Sequence, residues 1–137
     1  TGLEKAFIEH THWDLKKGTP YVIGCSTELE QLIESEQIHK GITATAGGFY
    51  GPQGRVLRLG IQDSALNSKM DSFSFEGHRI TNLEMETSAI YGLGKLLGHH
   101  CLSMNAIIAN RANGTFSQDP YKAVDELILY TLNKLAQ

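Results

Sequence analysis

Three short segments of the chain each carry a pair of polar side chains that can bind one small molecule. The three pairs are Gln53 and Arg55, Glu84 and Glu86, and Asn110 and Arg111. Amide, guanidinium and carboxylate groups together supply the donors and acceptors needed for a planar heterocycle and for a sugar diol. The types and spacing of these residues therefore favour a nucleoside site.

The first segment has the donors and acceptors to read the edge of a uracil ring. That edge presents an acceptor at O2, a donor at N3–H and an acceptor at O4. The amide of Gln53 carries one acceptor and two donors, so it can pair with O2 and N3–H together. The guanidinium of Arg55 can donate to O4, and the ring of Phe49 can stack on the face of the base.

The second segment suits a ribose. A carboxylate such as that of Glu86 can accept hydrogen bonds from the vicinal 2′- and 3′-hydroxyls at once. The thioether of Met85 can pack against the sugar, because methionine is soft and adapts to irregular surfaces.

A simpler structural interpretation exists for each of these residues. Loop residues such as Gln53 and Arg55 are usually solvated. Thr81 and Glu84 have the spacing of a capping box at a helix start, and Met85 has the character of a core filler. The nucleoside interpretation therefore requires the three segments to converge in space.

The elements that must position these segments alternate between helices and strands. Apolar residues recur at helical spacing in four segments, which predicts helices over residues 3–15, 27–37, 86–97 and 120–135. A short helix is also expected near residues 64–71, in a stretch rich in Ser, Asn and Asp. Short apolar or β-branched runs predict strands over residues 21–25, 39–46, 56–61, 79–83 and 101–109.

This alternation predicts a layered α/β/α fold with a mixed, mostly parallel sheet. Ligands of such folds bind beyond the carboxyl ends of the strands. Three loops fall at those places, over residues 47–55, 82–87 and 109–115. They contain all of the polar pairs described above.

Composition narrows the class of protein. The chain has 137 residues, the size of one ordinary domain, and 12 Lys and Arg against 15 Asp and Glu give a net charge of −3. That charge excludes a strongly basic nucleic-acid surface, and no apolar run approaches the roughly 20 residues that span a bilayer. Cys25 and Cys101 form no disulfide framework, and no Cys/His spacing indicates a metal site, which favours reduced thiols in the cytoplasm.

Three stretches of sequence carry a resemblance to a known family. GITATAGGFYGPQGR at residues 41–55, TNLEMETSAI at residues 81–90 and AIIANR at residues 106–111 resemble the uridine phosphorylase branch of the nucleoside phosphorylases. Glu-Met-Glu followed by small residues is typical of the family as a whole. The pattern from Phe49 through Gln53 to Arg55 is typical of the pyrimidine-reading branch.

The resemblance implies a set of substrate-binding residues, of which Arg55, Glu86 and Arg111 would also be catalytic. The set is Phe49, Gln53, Arg55, Glu84, Met85, Glu86, Asn110 and Arg111. Asn110 stands near the place where purine-cleaving relatives have an aspartate that protonates the base. An amide cannot act as that acid, so the resemblance favours a pyrimidine nucleoside.

The resemblance also implies which parts of the enzyme lie elsewhere. Residues 1–137 would be the C-terminal portion of a single nucleoside phosphorylase domain, and the phosphate site would lie in an N-terminal half. The expected partners are that half, a nucleoside, phosphate and further copies in a dimer or hexamer. Inorganic phosphate would be a co-substrate, with no cofactor, metal, nucleic acid or membrane involved. Alternatives are a purine phosphorylase, a nucleosidase of the same superfamily, or a nucleoside-binding fragment without catalysis.

Overall fold

A computed structural model describes residues 1–110 and 113–137 of the chain. The described residues form two compact units, one of residues 1–23 and 40–89 and the other of residues 24–39 and 90–137. Among the described residues, no helix has the length and apolar character needed to cross a membrane.

Five α-helices and five strands are present among the described residues. In chain order they are α1 (Gly2–Thr11), α2 (Thr27–Ile33), β1 (Ile42–Thr45), α3 (Leu66–Ser72), β2 (Ser74–Phe75), β3 (His78–Glu84), α4 (Thr87–Leu96), β4 (Ala109–Asn110), β5 (Thr115–Phe116) and α5 (Pro120–Leu135). Short 3₁₀ turns occur at Leu15–Lys17 and Gly51–Gln53.

The sheet of the first unit is mixed and has the order β1-β3-β2. Strands β1 and β3 run parallel, whereas β2 and β3 form an antiparallel hairpin. Glu76 and Gly77 turn this hairpin with φ angles of 49° and 82°, the left-handed backbone that a tight hairpin requires. Helices alternating with a sheet that contains parallel strands confirm the predicted α/β class.

The core of the first unit is centred on Phe73, which is 1% exposed. Its ring meets the ring of Phe7 from α1 edge-on, with the centroids 5.5 Å apart. Thr11 is also fully buried, and its hydroxyl donates to the Phe7 carbonyl oxygen at 2.7 Å. These contacts join α1 to the segment that leads from α3 into the sheet.

The second unit joins α2 to α5 through Tyr130. The Tyr130 hydroxyl donates to the carbonyl oxygen of the buried Ile33 and can accept from the Ser35 hydroxyl, which lies 2.8 Å away. Helix α5 begins where the sequence predicts, because Asp119 caps it by accepting from the Lys122 amide at 3.0 Å and Pro120 occupies its first position.

Three predicted strands are wrong. Residues 21–25 and 56–61 form no strand, and of residues 101–109 only Ala109 belongs to one. The apolar character of these segments indicates that they can pack, but a strand also needs a hydrogen-bonded neighbour along its length. Residues 101–109 are not a buried segment either, since Ile107 and Ile108 are exposed.

The predicted helices lie where expected, with differences at their ends. Helix α5 has the predicted bounds, whereas α1 ends at Thr11 rather than residue 15 and α3 covers Leu66–Ser72 rather than residues 64–71. Helix α2 stops at Ile33 rather than residue 37, and Ser26 caps it by accepting from the Leu29 amide. Helix α4 covers Thr87–Leu96 and is followed by Gly98, whose φ of 75° is typical of a glycine beyond a helix end.

The apolar stripes of α4 and α5 are largely exposed. On α4 and α5 the exposed apolar side chains are Ile90, Leu93, Leu96, Tyr121, Val124, Ile128, Leu129, Leu132 and Leu135. A soluble helix ordinarily buries such a stripe against a core. These surfaces are therefore of the kind that packs against further polypeptide.

We expect Phe73→Ala to destabilise the first unit by about 3–5 kcal/mol, because it removes a fully buried ring and leaves a cavity. Urea unfolding followed by the fluorescence of Trp13, which lies 5.6 Å from the Phe7 ring, measures the change. Phe116→Ala is the matched control, since Phe116 is 77% exposed and its loss should cost no more than about 0.5 kcal/mol. Equal losses in the two variants would contradict a core centred on Phe73.

Candidate functional site

Two of the three polar segments leave adjacent parallel strands at the same edge of the sheet. Thr45 at the end of β1 pairs with Glu84 at the end of β3. The next amide, that of Ala46, donates to the Glu84 carbonyl oxygen at 2.8 Å. The loop of residues 47–55 and the turn of residues 84–86 therefore start side by side at the carboxyl ends of the strands, the usual place for ligands in this class of fold.

The loop brings together the three residues predicted to read a base. The Arg55 guanidinium donates through Nη1 to Gln53 Oε1 at 2.7 Å and also to the Phe49 carbonyl oxygen. Its Cζ lies 3.5 Å from the centroid of the Phe49 ring, a cation–π contact. Gln53 is 3% exposed, whereas Phe49 is 49% exposed. We call Phe49, Gln53 and Arg55 the loop cluster.

A tight turn fixes the backbone of the loop cluster. The Gln53 and Arg55 amides both donate to the Tyr50 carbonyl oxygen at 3.0 Å, and the Gly54 amide donates to that of Gly51 at 2.9 Å. Gly54 has a φ of 74°, which a residue with a side chain adopts only under strain. The solvated-loop interpretation of Gln53 is therefore wrong, because its side chain is buried within an ordered turn.

The Glu84 carboxylate binds the start of α4. One oxygen accepts from the Thr45 hydroxyl at 2.5 Å, and the other accepts from the Glu86 and Thr87 amides at 2.7 and 2.6 Å. Partial burial by itself raises the pKa of Glu84, but these hydrogen bonds outweigh it and hold the pKa below its usual value. Glu84 is therefore an ionised cap for α4 at neutral pH.

The capping box expected between Thr81 and Glu84 is wrong, because both residues lie within β3 and the helix begins only at Thr87. Glu84 nevertheless contributes to the cap of α4. The Glu84 carboxylate still satisfies amides at the helix start, but it does so from the end of a strand.

Met85 and Glu86 follow at the turn and are both exposed. The Met85 amide donates to Glu86 Oε2 at 3.1 Å, which holds that carboxylate close to the backbone of the turn. Met85 is 39% exposed, so the interpretation of this residue as a core filler is wrong. A solvent-accessible carboxylate beside an accessible thioether retains the chemistry expected for binding a ribose.

Asn110 lies in the second unit, at the end of β4 in the hairpin with β5. Its Oδ1 accepts from the Asn113 amide at 3.4 Å across the hairpin turn. Arg111, the other residue expected from the third segment, lies outside the described residues. The structure thus starts the first two segments side by side at the strand ends, and it describes Asn110 separately.

Sequence reasoning missed two residues of this region. The Thr45 hydroxyl donates to Glu84 and accepts from the Ser88 amide at 3.0 Å, so it joins the end of β1 to α4. The Asn67 side chain lies against the turn of the loop cluster and donates to the Gln53 carbonyl oxygen at 3.5 Å. The position of Thr45 at a strand end was a signal that could have been used, whereas Asn67 gave none.

Within residues 1–110 and 113–137, no group of three or more His, Cys, Asp or Glu side chains is arranged to hold a metal ion. The candidate site contains hydrogen-bonding groups, an aromatic ring and a thioether.

A comparison with protein-family models matched residues 9–135 to the family described as the phosphorylase superfamily. No curated protein and no solved structure matched the chain. The family match covers most of the chain, including both segments of the site in the first unit.

We expect Thr45→Val to raise the pKa of Glu84 toward its usual value, because the variant lacks the hydroxyl that stabilises the carboxylate. Carboxyl carbon NMR across an acid titration measures this pKa. Thr43→Val is the matched control, since the Thr43 hydroxyl donates to Asn82 instead, at 2.7 Å. An unchanged Glu84 pKa in Thr45→Val would contradict the assigned hydrogen bond.

The lowered pKa also predicts the direction of a stability change. A carboxyl group whose pKa is lower in the folded state stabilises that state above its unfolded pKa, and this contribution disappears as the pH falls through the folded pKa. The free energy of unfolding lost in Glu84→Gln should therefore be largest at neutral pH and should shrink below about pH 4.5. Urea titrations between pH 3 and 7 measure it, and a constant difference would oppose this account.

Proposed function

The chain belongs to the phosphorylase superfamily, and from that premise we propose that it is part of a uridine-type nucleoside phosphorylase. The reaction is the reversible phosphorolysis of a pyrimidine nucleoside to the free base and ribose or deoxyribose 1-phosphate. In this proposal the chain supplies the base-binding and ribose-binding residues. The coarser assignment, to the nucleoside phosphorylase and nucleosidase type of enzyme, follows from the family itself.

One observation carries the proposal. The loop cluster and the Glu84–Glu86 turn leave neighbouring parallel strands at one edge of the sheet, within a single compact unit. The first provides an amide, a guanidinium and an aromatic ring, and the second provides a carboxylate and a thioether. A nucleoside needs both sets at adjacent positions, because its base and its ribose are joined by one bond.

The base would be read by the loop cluster. Gln53 and Arg55 are already joined by a hydrogen bond of 2.7 Å, so they can act on one ring edge as a unit. The Arg55 guanidinium lies over one face of the Phe49 ring. A base that stacks on Phe49 must therefore use the opposite face or displace the guanidinium toward its own O4.

The ribose would be held at the turn. The exposed Glu86 carboxylate can accept from both the 2′- and 3′-hydroxyls, and the exposed Met85 thioether can pack on the sugar. Glu84 would support this arrangement from beside the base pocket, because its carboxylate fixes the backbone amides of the turn.

The proposed catalysis depends on the charges that develop on the leaving base and on the sugar during the reaction. Phosphorolysis breaks the C1′–N1 bond through a sugar with oxocarbenium character, while a phosphate oxygen forms the new bond to C1′. The bond's electron pair leaves with the uracil, whose O2 and O4 become more negative. Donors from Gln53 and Arg55 would bind that leaving group better than the substrate, and Glu86 would place negative charge near the developing cation.

The proposal includes partners. We expect phosphate to be held by an N-terminal half of the enzyme, Arg111 to reach the base from the third segment beside Asn110, and copies to assemble as a dimer or hexamer in the cytoplasm. The exposed apolar stripes of α4 and α5 support packing against further polypeptide. No cofactor beyond inorganic phosphate is proposed.

The substrate class is tested by incubating the complete enzyme with uridine, thymidine, inosine or adenosine, each with and without phosphate. Release of uracil from uridine only when phosphate is present is the expected result. Cleavage of inosine or adenosine instead would point to a purine phosphorylase, and phosphate-independent cleavage to a nucleosidase. Binding of uridine without turnover would reduce the chain to a nucleoside-binding module.

We expect Arg55→Ala and Gln53→Ala each to lower kcat/KM for uridine by at least about 100-fold, because each removes a donor to the leaving base in a desolvated site. Steady-state assays of the complete enzyme measure the change. Arg58→Ala is the matched control, since Arg58 is an exposed arginine three residues further along the chain. Near-unchanged kinetics in either loop variant would reject the base-reading role.

A further inference from the structure

Helix α3 supports the turn that carries the loop cluster. Asn67, the second residue of that helix, donates from Nδ2 to the Gln53 carbonyl oxygen at 3.5 Å. Its amide also lies directly against Gly54, because a Cβ placed on Gly54 would stand 2.4 Å from Asn67 Nδ2 and 2.7 Å from Oδ1. A residue with a side chain at position 54 would therefore collide with the Asn67 amide, whereas glycine allows this contact.

The amide of Asn67 has one orientation that fits. With Nδ2 toward the Gln53 carbonyl, a donor faces an acceptor, whereas the flipped amide would set two oxygens against each other. In the fitting orientation Asn67 Oδ1 is buried, and no donor from the described residues pairs with it. An unpaired buried acceptor costs stability. The unpaired acceptor therefore offsets part of the stability that the Nδ2 hydrogen bond provides.

The contact is coupled to the side chains that would read the base. Gln53 is 3% exposed, so its side-chain position follows the position of its backbone. Gln53 Oε1 in turn accepts from Arg55 Nη1 at 2.7 Å, and the Arg55 guanidinium lies on the Phe49 ring. A shift of the turn at Asn67 would thus move the whole loop cluster.

We propose that Asn67 is a positioning residue for nucleoside binding, which holds the Gly51–Gln53 turn so that Gln53 and Arg55 face the pyrimidine edge together. This inference rests on the proposed function. Asn67 itself need not touch the substrate, because it acts through the Gln53 carbonyl and through close packing on Gly54.

The test compares Asn67→Asp and Asn67→Ala with the control Ser68→Ala. The aspartate keeps the size of the side chain but replaces the donor with an oxygen that repels the Gln53 carbonyl, and the alanine removes donor and unpaired acceptor together. Ser68 is the exposed neighbour on the same helix. Circular dichroism establishes that each variant is folded, and isothermal titration calorimetry with uridine measures its Kd.

We expect both Asn67 variants to raise the Kd for uridine at least tenfold, with the control within twofold. In steady-state assays of the complete enzyme, KM for uridine should rise more than kcat falls, and KM for phosphate should stay constant. A purely structural role would lower the thermal midpoint without this split. An unchanged Kd in a folded Asn67→Ala variant would overturn the proposal.

Failure of the proposed function is distinguishable from failure of this inference. If the complete unsubstituted enzyme binds no uridine, the proposed function is wrong. The side-chain NMR resonances of Gln53 (Nε2) and Arg55 (Nε) then test the positioning role on their own. Both resonances should shift in Asn67→Ala and stay unchanged in Ser68→Ala. Resonances that stay unchanged in Asn67→Ala would overturn the role of Asn67.

Discussion

The hydroxyl of Thr45 joins three elements at the edge of the sheet where the candidate site lies. It donates to the Glu84 carboxylate at the end of β3 and accepts from the Ser88 amide in the first turn of α4. Because Thr45 itself ends β1, this one group fixes two parallel strands and a helix relative to one another. The positions at which the loop of residues 47–55 and the turn at Glu86 begin therefore depend on the Thr45 hydroxyl.

The two carboxylates of the Glu-Met-Glu motif lie in different environments although they are two residues apart. Glu84 is half-buried, and each of its oxygens already accepts hydrogen bonds from its own chain. Glu86 is exposed, and the Met85 amide donates to one of its oxygens. A carboxylate engaged internally holds backbone in place, whereas an accessible one can accept from a ligand. Environment therefore separates a carboxylate that holds the backbone from one that is accessible to a ligand.

Local signals predicted part of this structure from the sequence. The helix predicted over residues 120–135 has those bounds in the structure, and the loop of residues 47–55 follows the carboxyl end of a strand as predicted. The convergence of Gln53 with Arg55 followed from their short separation in that loop. Contacts between distant residues gave no such signal. Asn67 meets Gln53 only because α3 lies against the loop. Residues 101–108 belong to no strand, and no local pattern of these residues shows that a strand neighbour is missing.

Two features of the described residues support the proposed packing against further polypeptide. They are the exposed apolar stripes of α4 and α5 and the small number of cationic groups at the candidate site. The apolar stripes of α4 and α5 follow helical spacing, so they suit a packed interface, yet residues such as Leu96 and Tyr121 are more than four-fifths exposed. In the proposed function the loop cluster and the turn at Glu86 would bind a base and a ribose, and Arg55 is the one arginine among these residues. That cation is already engaged with Gln53 and Phe49. In the proposed function, a phosphate that attacks the sugar would need donors beyond Arg55, and the exposed stripes would be surfaces on which further polypeptide could pack.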